Sequence, residues 1–253
     1  MTRIDEYRAA LTSLTEWEPY LLEHSGLPGP RGNLELARAF AEIGTVPLFL
    51  RLAVIGPEEA PTGSQSEFLT FCGTLGLGRL LVEGGTPEAD PQALLGLLRR
   101  QAGDPRWRVR EAAAMALQWW GESDLPALLE VMDSWAEGSL LECRAVVAAL
   151  CEPSLLLTPP AVEAALRLLD QITTRLVEAA DRRSEEVRVL RKALAYGWSV
   201  VVAADPERGR PAFELWLACD DADVLWVARQ NLAKKRLERA DPQWVVACRR
   251  ALG

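Results

Sequence analysis

Hydrophobic residues recur at helical spacing along this chain, and four stretches show the pattern most clearly. An α-helix brings residues three and four positions apart onto one face, so each stretch predicts a helix with one buried side. The apolar positions of the four stretches are Val109, Ala112, Ala113, Ala116, Leu117 and Trp120; Cys143, Val146, Val147, Leu150 and Cys151; Val187, Leu190, Leu194, Ala195 and Trp198; and Val224, Val227, Ala228 and Leu232.

The four stripes begin at residues 109, 143, 187 and 224, so successive stripes start 34, 44 and 37 residues apart. This is the length of a two-helix structural repeat. One helical hairpin cannot cover its own apolar face, so neighbouring hairpins stack and share a core. The pattern predicts an all-α fold, an α-solenoid that forms a single domain over residues 1–253. Residues 91–253 form its regular repeats, and residues 1–90 form divergent N-terminal repeats.

Six pairs of an acceptor side chain and a proline mark predicted helix starts. The acceptor oxygen binds a free backbone N–H of the first turn, and proline loses no hydrogen bond at the first helical position. The pairs are Thr86-Pro87, Asp90-Pro91, Asp104-Pro105, Thr158-Pro159, Asp205-Pro206 and Asp241-Pro242. Gly121 suits a helix end after Trp120. The predicted helices are 3–23 (interrupted near Pro19), 34–43, 46–55, 66–82, 91–102, 106–120, 125–136, 140–151, 160–180, 185–203, 209–218, 222–236 and 242–251, with no strand.

Composition narrows the chemistry and the compartment. His24 is the only histidine, which excludes the usual Ser-His-Asp, Cys-His and multi-histidine metal sites. The five cysteines form no C-x-x-C pair, so we expect reduced thiols, no metal and no cofactor. The chain has no apolar run long enough for a membrane span and no export signal pattern, and we expect a cytoplasmic protein that does not bind membranes. Its net charge of −8 argues against a protein wrapped in nucleic acid.

One segment carries a family resemblance. Asp104-Pro-Arg-Trp107-Arg-Val109-Arg110-Glu-Ala-Ala-Ala-Met-Ala-Leu117 resembles the second helix of HEAT repeats, and the segment Asp220–Leu232 is a weaker copy. The resemblance implies a right-handed α-solenoid of HEAT-like, armadillo-type helical hairpin repeats. The segment Ser25–Ala37, together with Glu152-Pro153 and Asn231–Leu237, resembles an uncharacterised bacterial HEAT-repeat family, for which no activity is implied.

A more distant resemblance is to the AlkD-type alkylpurine DNA glycosylases. Lys192-Ala-Leu-Ala-Tyr196 is similar to their late-repeat pattern, in which the aromatic residue lines the DNA-facing cleft. Those enzymes place a catalytic aspartate four residues after a tryptophan, and Trp120 and Asp124 have that interval. Aligning the repeats instead puts Trp135 at the aromatic position. The resemblance implies that Trp135 and Tyr196 hold DNA, with Asp133 or Asp124 assisting cleavage.

Cations recur opposite the apolar stripes, and in stacked repeats the second helices line the concave side. These cations therefore predict a groove that grips an acidic peptide or phosphate. An alternative is that they bind the aspartates of the repeat turns, such as Asp104, Asp220 and Asp223. The candidate groove residues are Arg108, Arg110, Arg144, Arg188, Arg191, Lys192, Arg229 and Lys234, with the aromatic residues Trp107, Trp135, Tyr196 and Trp226.

A glycine- and proline-rich loop before residue 34 is a further candidate. Its glycines allow the backbone to approach a ligand, and Arg31 supplies charge. A rigid connection in which Asn33 caps the next helix is the alternative. Three glycines after Cys72 (73, 76 and 78) lack the lysine of a phosphate-binding loop and favour close helix packing.

The sequence thus predicts a non-catalytic binding module with a protein or polyanionic partner in an arginine-lined groove, and it assigns no catalytic residue. The alternative is an AlkD-like DNA-binding protein or a DNA glycosylase of alkylation repair. A third hypothesis is an assembly scaffold that uses its outer faces.

Overall fold

In a computed structural model, which describes residues 2–87 and 89–252, the chain is all-helical. It folds into two compact units; the first ends at Ser123 and the second begins at Asp124. The helices of the first unit are α1 (Arg3–Thr12), α2 (Glu18–Glu23), α3 (Leu34–Ile43), α4 (Val46–Ala53), α5 (Glu67–Val82), α6 (Pro91–Ala102) and α7 (Trp107–Ser123). The helices of the second unit are α8 (Leu125–Ala136), α9 (Leu140–Leu150), α10 (Pro159–Val177), α11 (Glu185–Ala204), α12 (Pro206–Leu217), α13 (Ala222–Leu232), α14 (Lys235–Ala240) and α15 (Pro242–Ala251), with a 3₁₀ turn at Pro153–Leu155.

Aspartate side chains begin several of these helices, as the sequence predicts. Asp90, Asp205 and Asp241 each accept a hydrogen bond from a backbone N–H of the first turn and are followed by proline. Asn33 caps α3 in the same way, through the N–H of Leu36. Thr158 precedes α10 without a side-chain hydrogen bond to the helix. The caps at Asn33, Asp90 and Asp241 confirm the predicted helix starts at residues 34, 91 and 242.

Two of the predicted helix starts are wrong. Thr86 does not begin a helix, because its backbone pairs with Ala89 in an isolated bridge that precedes the cap of α6. Asp104 does accept from a backbone N–H, that of Arg106, but α7 begins only at Trp107. Asp104 supports a short turn through its side chain, which is another common role of aspartate, whereas Thr86 pairs through its backbone alone.

Helix ends also differ in places. Gly121 does not end α7, which continues to Ser123, and Asp124 then leaves the helical conformation and caps α8. The predicted helix 222–236 is two helices, because Lys234 is extended and starts α14. The helix predicted from residue 209 begins at Pro206 instead, where Asp205 supplies the cap.

The core of the first unit surrounds α5, which packs against α3, α4, α6 and α7. Its three glycines lie at the closest approaches. A Cβ atom on Gly73 would lie 2.4 Å from the backbone of Ala53, and one on Gly76 would lie 2.3 Å from the Phe49 ring. A Cβ on Gly78 would meet the backbone of α7 at 2.6 Å. The predicted role of these glycines in close helix packing is confirmed.

Helices of the second unit pack alternately. Helices α9, α11 and α13 lie side by side and form one layer, and α8, α10 and α12 form a second layer in the same way. The two layers contact each other, because α8 packs against α9, α10 against α11 and α12 against α13. The four apolar stripes are buried throughout, three of them in this unit and one on α7. Buried Asn231 of α13 accepts from the backbone N–H of Ser199 and donates to the carbonyl of Leu194, both on α11.

No helix among the described residues combines the length and the apolar character that crossing a membrane requires.

Candidate functional site

A buried arginine organises the turn before α7 in the first unit. Arg106 is only 2% exposed, and its Nε and Nη2 donate to the two carboxylate oxygens of Asp104 at 2.9 and 2.7 Å. Its remaining N–H groups bind the carbonyls of Ala60 and Ile55 and the hydroxyl of Thr70, at 3.0 to 3.2 Å. All five guanidinium donors are used, so this arginine serves the fold.

The contacts of Arg106 with Asp104 and with the three oxygens above form an arginine clamp. The first two groove candidates, Arg108 and Arg110, lie next to it in the sequence and are also buried. Arg108 donates to Glu67 at 3.0 Å and to the carbonyl of Gly29 at 2.6 Å. Arg110 donates to the carbonyls of Asp104 and Pro105 at 2.6 and 3.0 Å. Their relative exposures of 7% and 8% leave little surface for a ligand. These two arginines bind Glu67 and backbone carbonyls, whereas the contact with a turn aspartate that the alternative expected is made by Arg106 on Asp104.

Trp107, in contrast to these two arginines, is 47% exposed. Its ring covers the guanidinium of Arg108, with 4.4 Å from the carbon atom of that group to the ring centroid. Because Glu67 and Gly29 fix Arg108, the tryptophan rests on a rigid support.

An open pocket of about 320 Å³ lies beside this ring. Phe68 and Phe71 of α5 and Met115 of α7 supply apolar lining, and Arg31 and Glu111 supply charged side chains. We call this cavity the Trp107 pocket. Its lining residues are Pro30, Arg31, Gly32, Leu34, Phe68, Phe71, Trp107, Arg108, Glu111 and Met115. The structure therefore brings together three residues that the sequence singled out separately, Arg31, Trp107 and Arg108.

The loop from Ser25 to Asn33 forms one side of this pocket through a compact backbone. Gly26 has a φ of +73°, a conformation that favours glycine. A Cβ on Gly29 would lie 2.4 Å from the carbonyl oxygen of Gly26, so only glycine fits there. Asn33 caps α3 and also donates to the Tyr7 hydroxyl at 2.8 Å. The loop is thus a rigid connection that still presents an exposed Arg31.

A second arginine clamp stands in the second unit. Arg182 donates to Asp221 and to Asp223, with shortest distances of 2.8 and 2.6 Å, and to the carbonyl of Val177 at 2.9 Å. Arg191 pairs with Asp223 as well, and its guanidinium lies 4.5 Å from the Trp226 ring centroid.

These contacts change the charge properties of the turn. Burial alone would raise the pKa of Asp223, but hydrogen bonds from Arg191 and Arg182 outweigh it and lower that pKa. The aspartates of this clamp are Asp221 and Asp223, not Asp220, which is exposed. Arg191 and Trp226, two groove candidates, are largely committed to this internal network.

One face of α11 remains open to solvent. Arg188, Lys192 and Tyr196 follow one another at intervals of four residues, which places them on one side of the helix. Arg188 and Lys192 are exposed, and Tyr196 is 43% exposed. The guanidinium of Arg236 from α14 lies 4.4 Å from the Tyr196 ring centroid. We call Arg188, Lys192, Tyr196 and Arg236 the α11 ridge.

Carboxylates near the ridge neutralise only part of its charge. Arg188 pairs with Glu185 one turn earlier on the same helix at 2.7 Å, and both side chains are more than half exposed. A pair of this kind is weak in water and leaves the arginine available to a stronger partner. The ridge therefore combines cations with an aromatic surface, which suits an acidic ligand.

The other candidates are dispersed over the second unit. Arg229 is exposed and donates to the carbonyl of Leu252, and Arg144 and Lys234 are half-buried. Trp135 is 3% exposed, because its ring belongs to the core. The structure therefore does not present this ring to a ligand.

The two aspartates considered for base excision have other partners. Asp124 accepts from the backbone N–H of Ala127 as the cap of α8. Asp133 pairs with Arg167 at 2.6 Å on the surface. Neither carboxylate is buried, so nothing in its surroundings resembles the desolvated position of a general acid or base.

Metal and thiol chemistry find little support in the described part of the chain. It contains no group of three or more His, Cys, Asp or Glu side chains able to hold a metal ion. Four of the five cysteines are buried. Burial raises the pKa of Cys143 and of Cys248 to about 11 and raises those of Cys72 and Cys151 as well, so these thiols stay protonated near neutral pH.

Several functional neighbours escaped the sequence analysis. Arg236 does not lie on one of the four apolar stripes or among the candidate groove residues, and Phe68, Phe71 and Met115 show no sequence pattern that indicates a pocket. Phe68 and Phe71 lie on a helix that is apolar all round, so periodicity cannot tell which of its residues reach the surface. Arg106 carried a usable signal, since it stands two residues after Asp104, whereas the partners of Arg182, Asp221 and Asp223, lie 39 and 41 residues away in the sequence.

Comparison of the chain with protein-family models, with curated proteins and with solved structures finds no match.

Proposed function

We propose that this protein is a non-catalytic helical-repeat module that binds an acidic segment of a partner protein through the α11 ridge. The observation that carries the proposal is the row of Arg188, Lys192 and Tyr196 on one exposed helix face, with Arg236 against the tyrosine ring. Acidic side chains would pair with the cations while their aliphatic parts pack on the ring. Aromatic and arginine residues are the side chains that most often dominate such interfaces.

A HEAT-like, right-handed α-solenoid is the architecture that we propose for this module. It is supported by the alternate packing of helices in the second unit and by the burial of every apolar stripe. In such an array the layer of α9, α11 and α13 would form the inner wall, and the ridge would belong to it.

Clamps at the repeat turns are consistent with this architecture. Arg106 in the first unit and Arg182 in the second each join aspartates of a turn to backbone carbonyls of an earlier segment. A cytoplasmic location is part of the proposal and is supported by the five cysteines, which are all free thiols.

A protein partner is preferred over nucleic acid because three of the eight predicted groove cations serve internal contacts. Arg108, Arg110 and Arg191 are bound to carboxylates or carbonyls of the chain itself. The whole chain also carries a net charge of −8, which repels a polyanion at long range. A short acidic segment needs only the local charge of the ridge.

The test measures binding of a fluorescein-labelled, glutamate-rich peptide by fluorescence anisotropy. We expect Lys192→Glu to weaken binding about tenfold, the equivalent of about 1.4 kcal/mol, because it replaces attraction with repulsion. Tyr196→Ala should weaken it as well. Arg250→Glu, an exposed charge reversal on α15, is the matched control and should have a much smaller effect.

Two results would contradict the proposal. One is a peptide affinity that responds equally to Lys192→Glu and Arg250→Glu, because binding would then reflect net charge alone. The other is the absence of binding at low salt.

The alternative is an AlkD-like DNA-binding protein or glycosylase, and the exposed Tyr196 under Arg236 is the observation that favours it. Duplex DNA in the same assay tests this function. Ridge-dependent DNA binding tighter than peptide binding, with a steep fall between about 50 and 200 mM salt, would favour it. Release of a methylated base from alkylated duplex would then separate an enzyme from a binding protein.

A further inference from the structure

The Trp107 pocket has the features of a preorganised binding site in the first unit. Trp107 is half exposed, yet its ring is held on Arg108, which two hydrogen bonds fix in place. When a ligand packs on this ring, the protein side chains therefore lose little conformational entropy. Rigid, exposed tryptophans beside arginines are typical of the residues that dominate binding energy in protein interfaces.

Size limits what the pocket can hold. Its volume of about 320 Å³ lies at the lower end of the range for ligand pockets. Phe68, Phe71 and Met115 provide an apolar lining that suits one side chain such as leucine, methionine or phenylalanine. A nucleotide or a large cofactor would extend well beyond it.

Charge at the pocket favours an anionic group next to the apolar one. Arg31 is exposed at the edge and has no ion-pair partner among the described residues. Arg108 also lines the pocket, although Glu67 behind it offsets its charge, and Glu111 is the acidic lining residue.

Helix geometry adds to this field. Leu34, Phe68 and Trp107 lie in the first turns of α3, α5 and α7, so three helices begin at the pocket. Each helix start carries a partial positive charge of about half a unit. The three starts and Arg31 therefore act in the same direction.

We propose that the Trp107 pocket binds a segment of a partner protein in which an apolar residue stands next to an acidic residue. The apolar side chain enters between Trp107, Phe68 and Met115, and the carboxylate pairs with Arg31. This site belongs to the first unit and involves no residue of the α11 ridge. It therefore stands or falls independently of the function proposed above.

The test uses capped dipeptides as probes and the indole N–H resonance of Trp107 as the readout. In ¹⁵N-resolved NMR spectra, N-acetyl-Leu-Glu-amide should shift this resonance saturably, with a dissociation constant on the order of 1 mM. N-acetyl-Leu-Gln-amide lacks the charge and N-acetyl-Ala-Glu-amide lacks the anchor. Each should bind about fivefold more weakly, a difference of about 1 kcal/mol.

Variants separate the pocket from general electrostatics. Arg31→Gln should reduce the affinity for the Leu-Glu probe to that for the Leu-Gln probe, without changing the latter. Arg100→Gln removes an exposed arginine of the same unit that does not line the pocket and should leave both affinities unchanged. Phe71→Ala, which enlarges the lining, should weaken the binding of every leucine probe while Trp107 still supplies the readout.

Three outcomes would overturn the proposal. They are an unshifted Trp107 resonance with the Leu-Glu probe, equal affinities for the Leu-Glu and Leu-Gln probes, and equal effects of Arg31→Gln and Arg100→Gln. None of these outcomes bears on peptide binding at the α11 ridge, because that assay compares variants of Lys192 and Tyr196, which lie outside the Trp107 pocket.

Discussion

Replacing Arg106 by methionine tests whether the buried clamp before α7 stabilises the first unit. The substitution keeps an unbranched apolar side chain of similar length but removes five donors. It leaves the Asp104 carboxylate, only 9% exposed, without its cation, and the Ala60 carbonyl without this hydrogen bond. Removing one partner of a buried ion pair typically costs about 3–5 kcal/mol. We therefore expect the free energy of unfolding of the first unit to fall by about this amount.

The measurement is urea unfolding followed by circular dichroism, with hydrogen exchange of α5 and α7 to assign the loss to the first unit. Arg51→Met is the matched control, because Arg51 forms an exposed pair with Glu18. Such surface pairs contribute at most about 1 kcal/mol.

A double variant separates the charge from the packing. Asp104→Asn in the Arg106→Met background removes the unpaired carboxylate, so part of the lost stability should return. A cost below about 1 kcal/mol for Arg106→Met, or no recovery in the double variant, would refute the reasoning. The guanidinium would then contribute little to the stability of the turn, which other contacts would hold in place.

Three further predictions concern packing, acid and thiols. Gly76→Ala should lower the free energy of unfolding in urea by about 1–3 kcal/mol, because its Cβ would lie 2.3 Å from the Phe49 ring. Gly96→Ala on α6 is the control and should be neutral or stabilising, because its Cβ would meet only one atom, at 3.9 Å; equal effects would contradict this. The pKa of Asp223 is lowered in the folded state, so its stabilising effect is present above about pH 4 and is lost in more acidic solution. The difference in stability between wild type and Asp223→Asn should therefore shrink as the pH falls below about 4, and a constant difference would argue against this. Ellman's reagent at pH 8 should label Cys219 first, and rapid labelling of more than one thiol in the native protein would be inconsistent with the burial and raised pKa of Cys72, Cys143, Cys151 and Cys248.

Much of the helical framework is predictable from local signals. Asp90, Asp205 and Asp241 cap helices because the aspartate oxygen accepts from a backbone N–H of the first turn and proline suits the first helical position. The apolar stripes are buried as predicted, since a helix with one apolar side has only one face to bury. Asp104 and Thr86 show the limit of this reasoning, because each is also followed by proline and yet lies in a short turn outside the helix.

The functional surfaces are less predictable, because they depend on what covers the second face of each helix. Arg108 and Lys192 both lie opposite an apolar stripe, yet one is buried against Glu67 and the other is exposed. Trp135 stands off the marked stripes and still belongs to the core. Periodicity describes a single helix, whereas burial of its opposite face requires knowledge of segments far away in sequence. The solenoid and the HEAT resemblance remain proposals for the same reason.

The division of labour among the arginines of the second unit has an implication for engineering. Arg182 and Arg191 secure the turn before α13 through Asp221 and Asp223, whereas Lys192 and Tyr196 lie one position and five positions beyond Arg191 and do not take part in that clamp. The residues proposed to contact a ligand can therefore be exchanged without loosening the helices that carry them. A library randomised at positions 188, 192 and 196 should retain its fold and acquire new binding preferences, as in designed repeat binders.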